Sequence, residues 1–210
     1  LEQQMLQEST RRFVNEEMLP HDDIVDREGP VPSELGRQIE SRAKEVGLFS
    51  ANLPENVGGG GLDYTSMAVI EREFGRTSHA LHAWVARPTE LLLATEGGQK
   101  EHYLDPCVTG AKRELFALSE PEAGSDIMSM KSHAKRDGDD WILNGSKHFI
   151  SGPLMPDFAI VFAITGHDET PRGPRPRITA FLVDVGMPGF DIQVGYNCVS
   201  YRGYLNVNRD

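Results

Sequence analysis

The spacing of apolar residues changes once along this chain, and that change limits the possible folds more than any other feature. Up to about residue 111 apolar side chains recur every three to four residues, and from Leu115 onward they fall on alternate positions. The first spacing belongs to helices with one buried face and the second to strands with one buried face. Helices followed by strands give an α+β architecture, an all-α helical domain over residues 1–111 and an antiparallel β-barrel-like domain over residues 112–210. A chain of 210 residues is long enough for two such cores.

In the helical part, residues 1–19 form an amphipathic pattern through Met5, Leu6, Phe13, Val14 and Met18, which Pro20 ends. Residues 21–32 read as an acidic, proline-bearing connection. Ser33 is positioned to cap a helix carrying Leu35, Ile39, Ala43 and Val46, which Gly47 stops. The run Gly58-Gly59-Gly60-Gly61 lacks the Lys-Ser/Thr pair of a phosphate-binding loop and is expected to be a connector. Residues 64–74 predict another helix. Residues 78–96 predict a mostly helical apolar segment with Leu81, Trp84, Val85, Leu91, Leu92 and Leu93, kinked or restarted at Pro88.

Strands are expected over residues 115–119, 129–136, 141–144, 147–151, 158–165, 178–183 and 190–194. Asp137-Gly138 and Asn144-Gly145 are the turn signals between them, and residues 166–177 (GHDETPRGPRPR) read as a loop. The stretch from Phe116 to Gly152 combines short strands with turns that carry hydroxyls, small residues and backbone donors. Such a surface suits a flat aromatic ligand with polar edges. Ser119 and Ser151 end strands, Phe116 and Phe149 offer apolar flanks, and Gly124 beside Ser125 allows close approach of a ligand to backbone donors. An ordinary hairpin sheet whose Gly, Asn and Asp serve only turns accounts for the same composition.

Net charge is −11, from 32 acidic and 21 basic residues, which argues against general nucleic-acid binding but not against an anionic ligand held by a local cluster. No apolar run reaches the length of a membrane span, and the amino-terminal residues do not read as a charged-then-apolar leader or a transit peptide, so a cytoplasmic protein is expected, or one of the mitochondrial matrix in a eukaryote. Cys107 and Cys198 have no metal-ligand spacing and read as free thiols. His79 and His82 can share a helical face but have no evident third ligand, so no metal site is expected.

The pieces SEPEAGSD and NGSKHFIS, in this order, resemble the flavin-contacting signature of the acyl-CoA dehydrogenase family. The matching positions are Phe116, Ser119, Glu120, Pro121, Ala123, Gly124, Ser125, Asp126, Asn144, Gly145, Lys147, Phe149, Ile150 and Ser151. Serines stand at 119 and 151 where the family more often has threonine. The resemblance implies FAD as cofactor, held by Phe116, Leu118, Ser119, Gly124, Ser125, Phe149, Ile150 and Ser151, with Ser151 near flavin N5. It also implies an acyl-CoA thioester substrate that meets Ser125, and α,β-dehydrogenation with electron-transfer flavoprotein as acceptor. The apolar segment 78–96 resembles the one that lines the family's acyl pocket. A homo-oligomer is expected when the protein is complete. In the family a carboxy-terminal helical bundle follows the β domain and supplies the glutamate base. Here the base is expected beyond Asp210, the β domain is expected to be incomplete, and the 210 residues alone are expected to be inactive. An acyl-CoA oxidase or flavin monooxygenase of the same fold, or a non-catalytic binding protein, are the alternatives.

Overall fold

A computed structural model describes residues 1–28, 30–151, 156–194 and 205–209. The described chain divides into two compact units, residues 1–113 and residues 114–194 with 205–209.

The first unit is helical. It contains α1 (Glu2–Phe13), α2 (Asp22–Glu28), α3 (Ser33–Glu45), α4 (Tyr64–Phe74), α5 (His79–His82) and α6 (Asp105–Thr109). Their apolar faces meet in one core that includes Phe13, Met18, Ile39, Ile70, Phe74 and Leu81. A buried carboxylate ties α1 to α4. Glu73, 1% exposed, accepts hydrogen bonds from Arg11 Nε (3.0 Å), Arg11 Nη2 (2.8 Å) and Gln7 Nε2 (2.9 Å). The Arg11 bond outweighs burial and holds the Glu73 pKa at about 2.

The helical unit departs from the local sequence pattern in several places. The first helix does not run unbroken to Leu19. It widens into a π-turn at Val14–Met18 and tightens into a 3₁₀ turn at Leu19–His21, and Pro20 sits in that turn without ending the helical path. Residues 22–28, expected as connection, continue as α2. Ser33 is the first residue of α3 and makes no capping bond; Pro32 precedes it. By contrast Asp63 caps α4, its Oδ1 accepting from the Ser66 amide at 2.7 Å. The segment 78–96 is only the single turn α5 and a 3₁₀ turn at Glu90–Ala94, separated by an extended stretch. That stretch is fixed by bonds to residues 50–52: Ser50 N–H donates to Ala86 O at 2.9 Å and Asn52 Nδ2 to Pro88 O at 2.8 Å. The four glycines form a connector. Their amides donate to the carbonyls of Glu55, Pro54, Ser50 and Leu53 and so are not turned toward an anion.

The second unit is a curled sheet of β1 (Glu114–Ala117), β2 (His133–Asp137), β3 (Asp140–Ile150), β4 (Phe158–Thr170), β5 (Gly173–Asp184), β6 (Asp191–Val194) and β7 (Leu205–Arg209). It is mixed, not antiparallel throughout. β1 and β2 both lie parallel to β4, β1 against Phe158–Val161 and β2 against Ile164, so they occupy successive parts of one β4 edge. The β2–β3, β4–β5, β3–β7 and β6–β7 pairings are antiparallel. The hairpin at Asp137-Gly138 forms where the sequence signals it, with Asp137 opposite Asp140. Asn144-Gly145 is not a turn. The expected strands 141–144 and 147–151 are one strand, β3, which changes partner there from β2 to β7. The expected loop 166–177 is mostly strand, because β4 and β5 stay paired out to Thr170 opposite Gly173. Leu115, Ala117, Ile150, Ala159 and Val161 form the core of this unit.

Candidate functional site

The site follows from how β1 and β2 share an edge. Between them the chain leaves the sheet as the loop 118–132 and then returns to the same neighbour. Glu120 closes the base of the loop: its amide donates to Ala123 O (2.9 Å) and its carbonyl accepts from the Ala123 amide (3.2 Å). Its carboxylate, 2% exposed, accepts from the amides of Lys131 (2.6 Å) and Ser132 (3.0 Å) and from Lys147 Nζ (2.7 Å). Lys147, also 2% exposed, donates as well to Leu118 O at 3.1 Å. Burial opposes the charge on Glu120, but Lys147, Ser132 and Lys131 together outweigh it, so the carboxyl lies below its ordinary pKa and is ionised. Burial draws the Lys147 pKa down and Glu120 opposes that, leaving the two as a buried ion pair.

A second contact joins the two halves of the signature, the His148 amide donating to Ser119 O at 3.0 Å. At this point β3 is bulged. Lys147 faces Val207 and Ile150 faces Leu205, so three steps on β3 match two on β7. The extra residue breaks the in–out alternation: Lys147 and Ile150 both point inward, while Phe149 is 52% exposed with φ of 55°. A phenylalanine in left-handed backbone is strained by roughly 1–3 kcal/mol, and such strain is concentrated at functional sites.

The remaining candidate residues fall as follows. Phe116 is 41% exposed and its ring lies 5.0 Å from that of Phe162. Leu118 and Ser119 are partly buried, and Gly124, Ser125 and Ser151 are exposed. Gly124 has ordinary φ, and nothing lies within 4 Å of where a Cβ would stand, so neither backbone nor packing demands glycine there. Among the described residues no group of the chain bonds the hydroxyls of Ser119, Ser125 or Ser151. Ile150 is 2% exposed and packs in the core, so its side chain is not presented to a ligand. Exposed rings, exposed hydroxyls and a loop that tolerates close approach are a donor and stacking set that fits a flavin.

Of the loop's carboxylates, Glu120 is held as above. Asp126 accepts from the Met128 amide and from Ser129 Oγ, which caps the 3₁₀ turn Ile127–Ser129. Glu120 is a signature position in the sequence, but its pairing with Lys147 joins residues 27 apart and no local pattern signals it. A cavity of about 480 Å³ also opens in this unit, walled by Trp141, Leu143, Val161, Phe181, Val183 and Phe190 and reached from the signature by Asn144, Gly145 and Lys147.

In the helical unit His79 and His82 hydrogen-bond ring to ring at 2.9 Å, and His82 stacks on Phe74. Among the described residues no group of three or more His, Cys, Asp or Glu could hold a metal, and no helix is long and apolar enough to cross a membrane. Cys107 is buried and forms no disulfide among the described residues; Cys198 lies outside them. Trp84 is partly buried against the helical core. Its indole rests on Gly36 of α3, where a Cβ would come within 2.0 Å of the ring, and the Arg113 guanidinium stacks on it at 4.2 Å.

Comparison with known proteins gives the same picture for both units. Residues 1–111 match the family model described as acyl-CoA dehydrogenase, N-terminal domain, and residues 115–206 the one described as acyl-CoA dehydrogenase, middle domain. The chain is 34% identical over 196 residues to the long-chain specific acyl-CoA dehydrogenase, mitochondrial, of Sus scrofa, covering 90% of this chain and 44% of that protein. It is 34% identical over 199 residues to the caffeyl-CoA reductase-Etf complex subunit CarC of Acetobacterium woodii, covering 92% of this chain and 50% of that one. The crystal structure of an acyl-CoA dehydrogenase complexed with FAD from Bacillus anthracis superposes with a TM-score of 0.78 at 25% identity, covering 100% of this chain and 35% of that one. The chain thus spans about half the length of the curated relatives it matches. With both units matched in order along the sequence, the chain belongs to the acyl-CoA dehydrogenase family.

Proposed function

We propose that this chain provides the helical and β domains of an FAD-dependent acyl-CoA dehydrogenase, acting on an acyl-CoA thioester and passing electrons to an electron-transfer flavoprotein. The observation that carries this reading is the joining of the two signature halves: the Lys147–Glu120 pair and the His148–Ser119 bond bring residues 116–126 and 147–151 together while Phe116 and Phe149 stay exposed. Phe116, Leu118, Ser119, Gly124, Ser125, Phe149 and Ser151, with the backbone of Ile150, would hold the FAD, and Ser125 would also meet the thioester. When bound, FAD supplies the hydride acceptor for the β-hydrogen of the substrate. The aromatic rings exclude water from one face of the ligand, and the serine hydroxyls orient its polar edge.

The α-proton needs a carboxylate base. Glu120 is not that base, because its oxygens are held by two amides and a lysine, and Asp126 is not, because it caps the following turn. We assign the base to the part of its relatives' length that this chain does not span, and the same part to the assembly of a homo-oligomer. Support for the acceptor is the Etf complex in the name of the Acetobacterium woodii relative.

Fluorescence titration of the full-length protein, which includes the part assigned the base, with FAD, followed by anaerobic mixing with saturated acyl-CoA, tests the reading. The expected result is FAD binding and bleaching of the flavin band by acyl-CoA, with slow reoxidation in air. Fast reoxidation by oxygen would favour an oxidase, and absence of FAD binding would refute the assignment. Ser151→Ala should slow flavin reduction about 5- to 150-fold, the loss of one hydrogen bond of roughly 1–3 kcal/mol. An unchanged rate would remove Ser151 from the site.

A further inference from the structure

We propose that Lys147 and Glu120 form a positioning pair that orients the ligand-facing groups of the β unit without touching the ligand. The inference rests on the flavin reading above and assigns these two residues a task within it.

Each partner is 2% exposed, and the two lie 27 residues apart in sequence. Together they bind three separate segments. Lys147 holds the start of the loop through Leu118 O, and Glu120 holds the loop's end through the amides of Lys131 and Ser132. Lys147 is itself the last residue before the β3 bulge, whose next amide, that of His148, donates to Ser119 O. Ser119 and the left-handed Phe149 are therefore placed by the same knot, one on each side of it. Burying an ion pair is an inefficient way to stabilise a core, since apolar residues of similar volume often serve as well or better. An ion pair does specify direction: the carboxylate accepts two amides and an ammonium at fixed angles, which an apolar contact cannot reproduce. Adjacent Gly145 fits the same plan, because a Cβ there would meet Ser132, whose amide is one of those Glu120 holds.

The test uses the protein with its native sequence and two variants, Lys147→Met and the double variant Lys147→Met/Glu120→Leu, which removes both buried charges together. Amide hydrogen exchange without cofactor and FAD affinity are measured on all three. For both variants, exchange at Lys131, Ser132 and His148 should accelerate at least tenfold while amides of the β4–β5 ladder keep their protection, and FAD should bind at least tenfold more weakly. If the single variant fails to fold, the double variant decides. Uniform loss of protection across the sheet would make the pair merely structural and overturn the proposal. So would native FAD affinity in the double variant. If the native protein binds no FAD, the flavin reading falls and the positioning role with it; if it binds FAD and the variants bind equally well, only the positioning role falls.

Discussion

Adding one methyl group at Gly145 should damage the β unit more than the same change at any open turn. Gly145 has φ of 146°, and a Cβ built there would lie 2.2 Å from Ser132 Oγ, 2.6 Å from its Cβ and 2.7 Å from its Cα. The hydroxyl can rotate away, but the backbone has little room to retreat. The Ser132 amide is held by Glu120 at 3.0 Å, and its carbonyl accepts from the Ile164 amide at 2.9 Å. Overpacking of this kind costs about 1–3 kcal/mol. The unfavourable φ adds roughly 1–3 kcal/mol, and weakening either hydrogen bond about 1 kcal/mol. Gly145→Ala is therefore expected to lose about 3–7 kcal/mol. Gly138→Ala is the control: φ is 62° and nothing lies within 4 Å, so only the left-handed backbone is penalised, by about 1–2 kcal/mol. Urea unfolding followed by circular dichroism, with equal slopes for the variants, gives both numbers. If Gly145→Ala is no less stable than Gly138→Ala, the close approach to Ser132 is not a constraint.

The helical unit should lose stability in acid through two groups with different windows. Glu73 releases its proton near pH 2 instead of 4.5, so it contributes about 3 kcal/mol above pH 4.5 that fades as pH falls through 2. Glu73→Gln should flatten the stability–pH curve over that window, and parallel curves would contradict the Arg11–Glu73 link. His82 is held neutral by burial, with neighbouring His79 and Arg87 adding to the effect, and its pKa is lowered to about 3. Its contribution is present above pH 6.5 and declines toward pH 3, so His82→Phe should be less acid-sensitive between those values in the same titration. Trp84→Ala should destabilise by about 3–5 kcal/mol, since it empties the space over Gly36. Leu91→Ala, at a residue 44% exposed, should stay within about 1 kcal/mol. If Leu91→Ala also shifts acyl-chain preference, the segment after Pro88 lines the substrate; an unchanged profile removes it.

The amino-acid sequence by itself determined the order of helices before strands, the α4 helix over residues 64–74, the Asp137-Gly138 hairpin and the two halves of the family signature. These depend on spacing and turn chemistry within a few residues, where periodicity carries the information. Tertiary structure decided what happens between distant segments. It broke the apolar run 78–96 by bonding its middle to residues 50–52, and it extended β4 and β5 through residues that composition marks as loop. It also placed β1 and β2 on one edge of β4, so that the signature loop is an excursion from a continuous sheet. The site itself needed that level most. The bulge that exposes Phe149 and buries Ile150 exists only because β3 meets β7 out of step, and Lys147 is tolerated inside only because Glu120 arrives from 27 residues away. No local pattern encodes either, because a buried charge or a broken alternation is favourable only once its partner is in place.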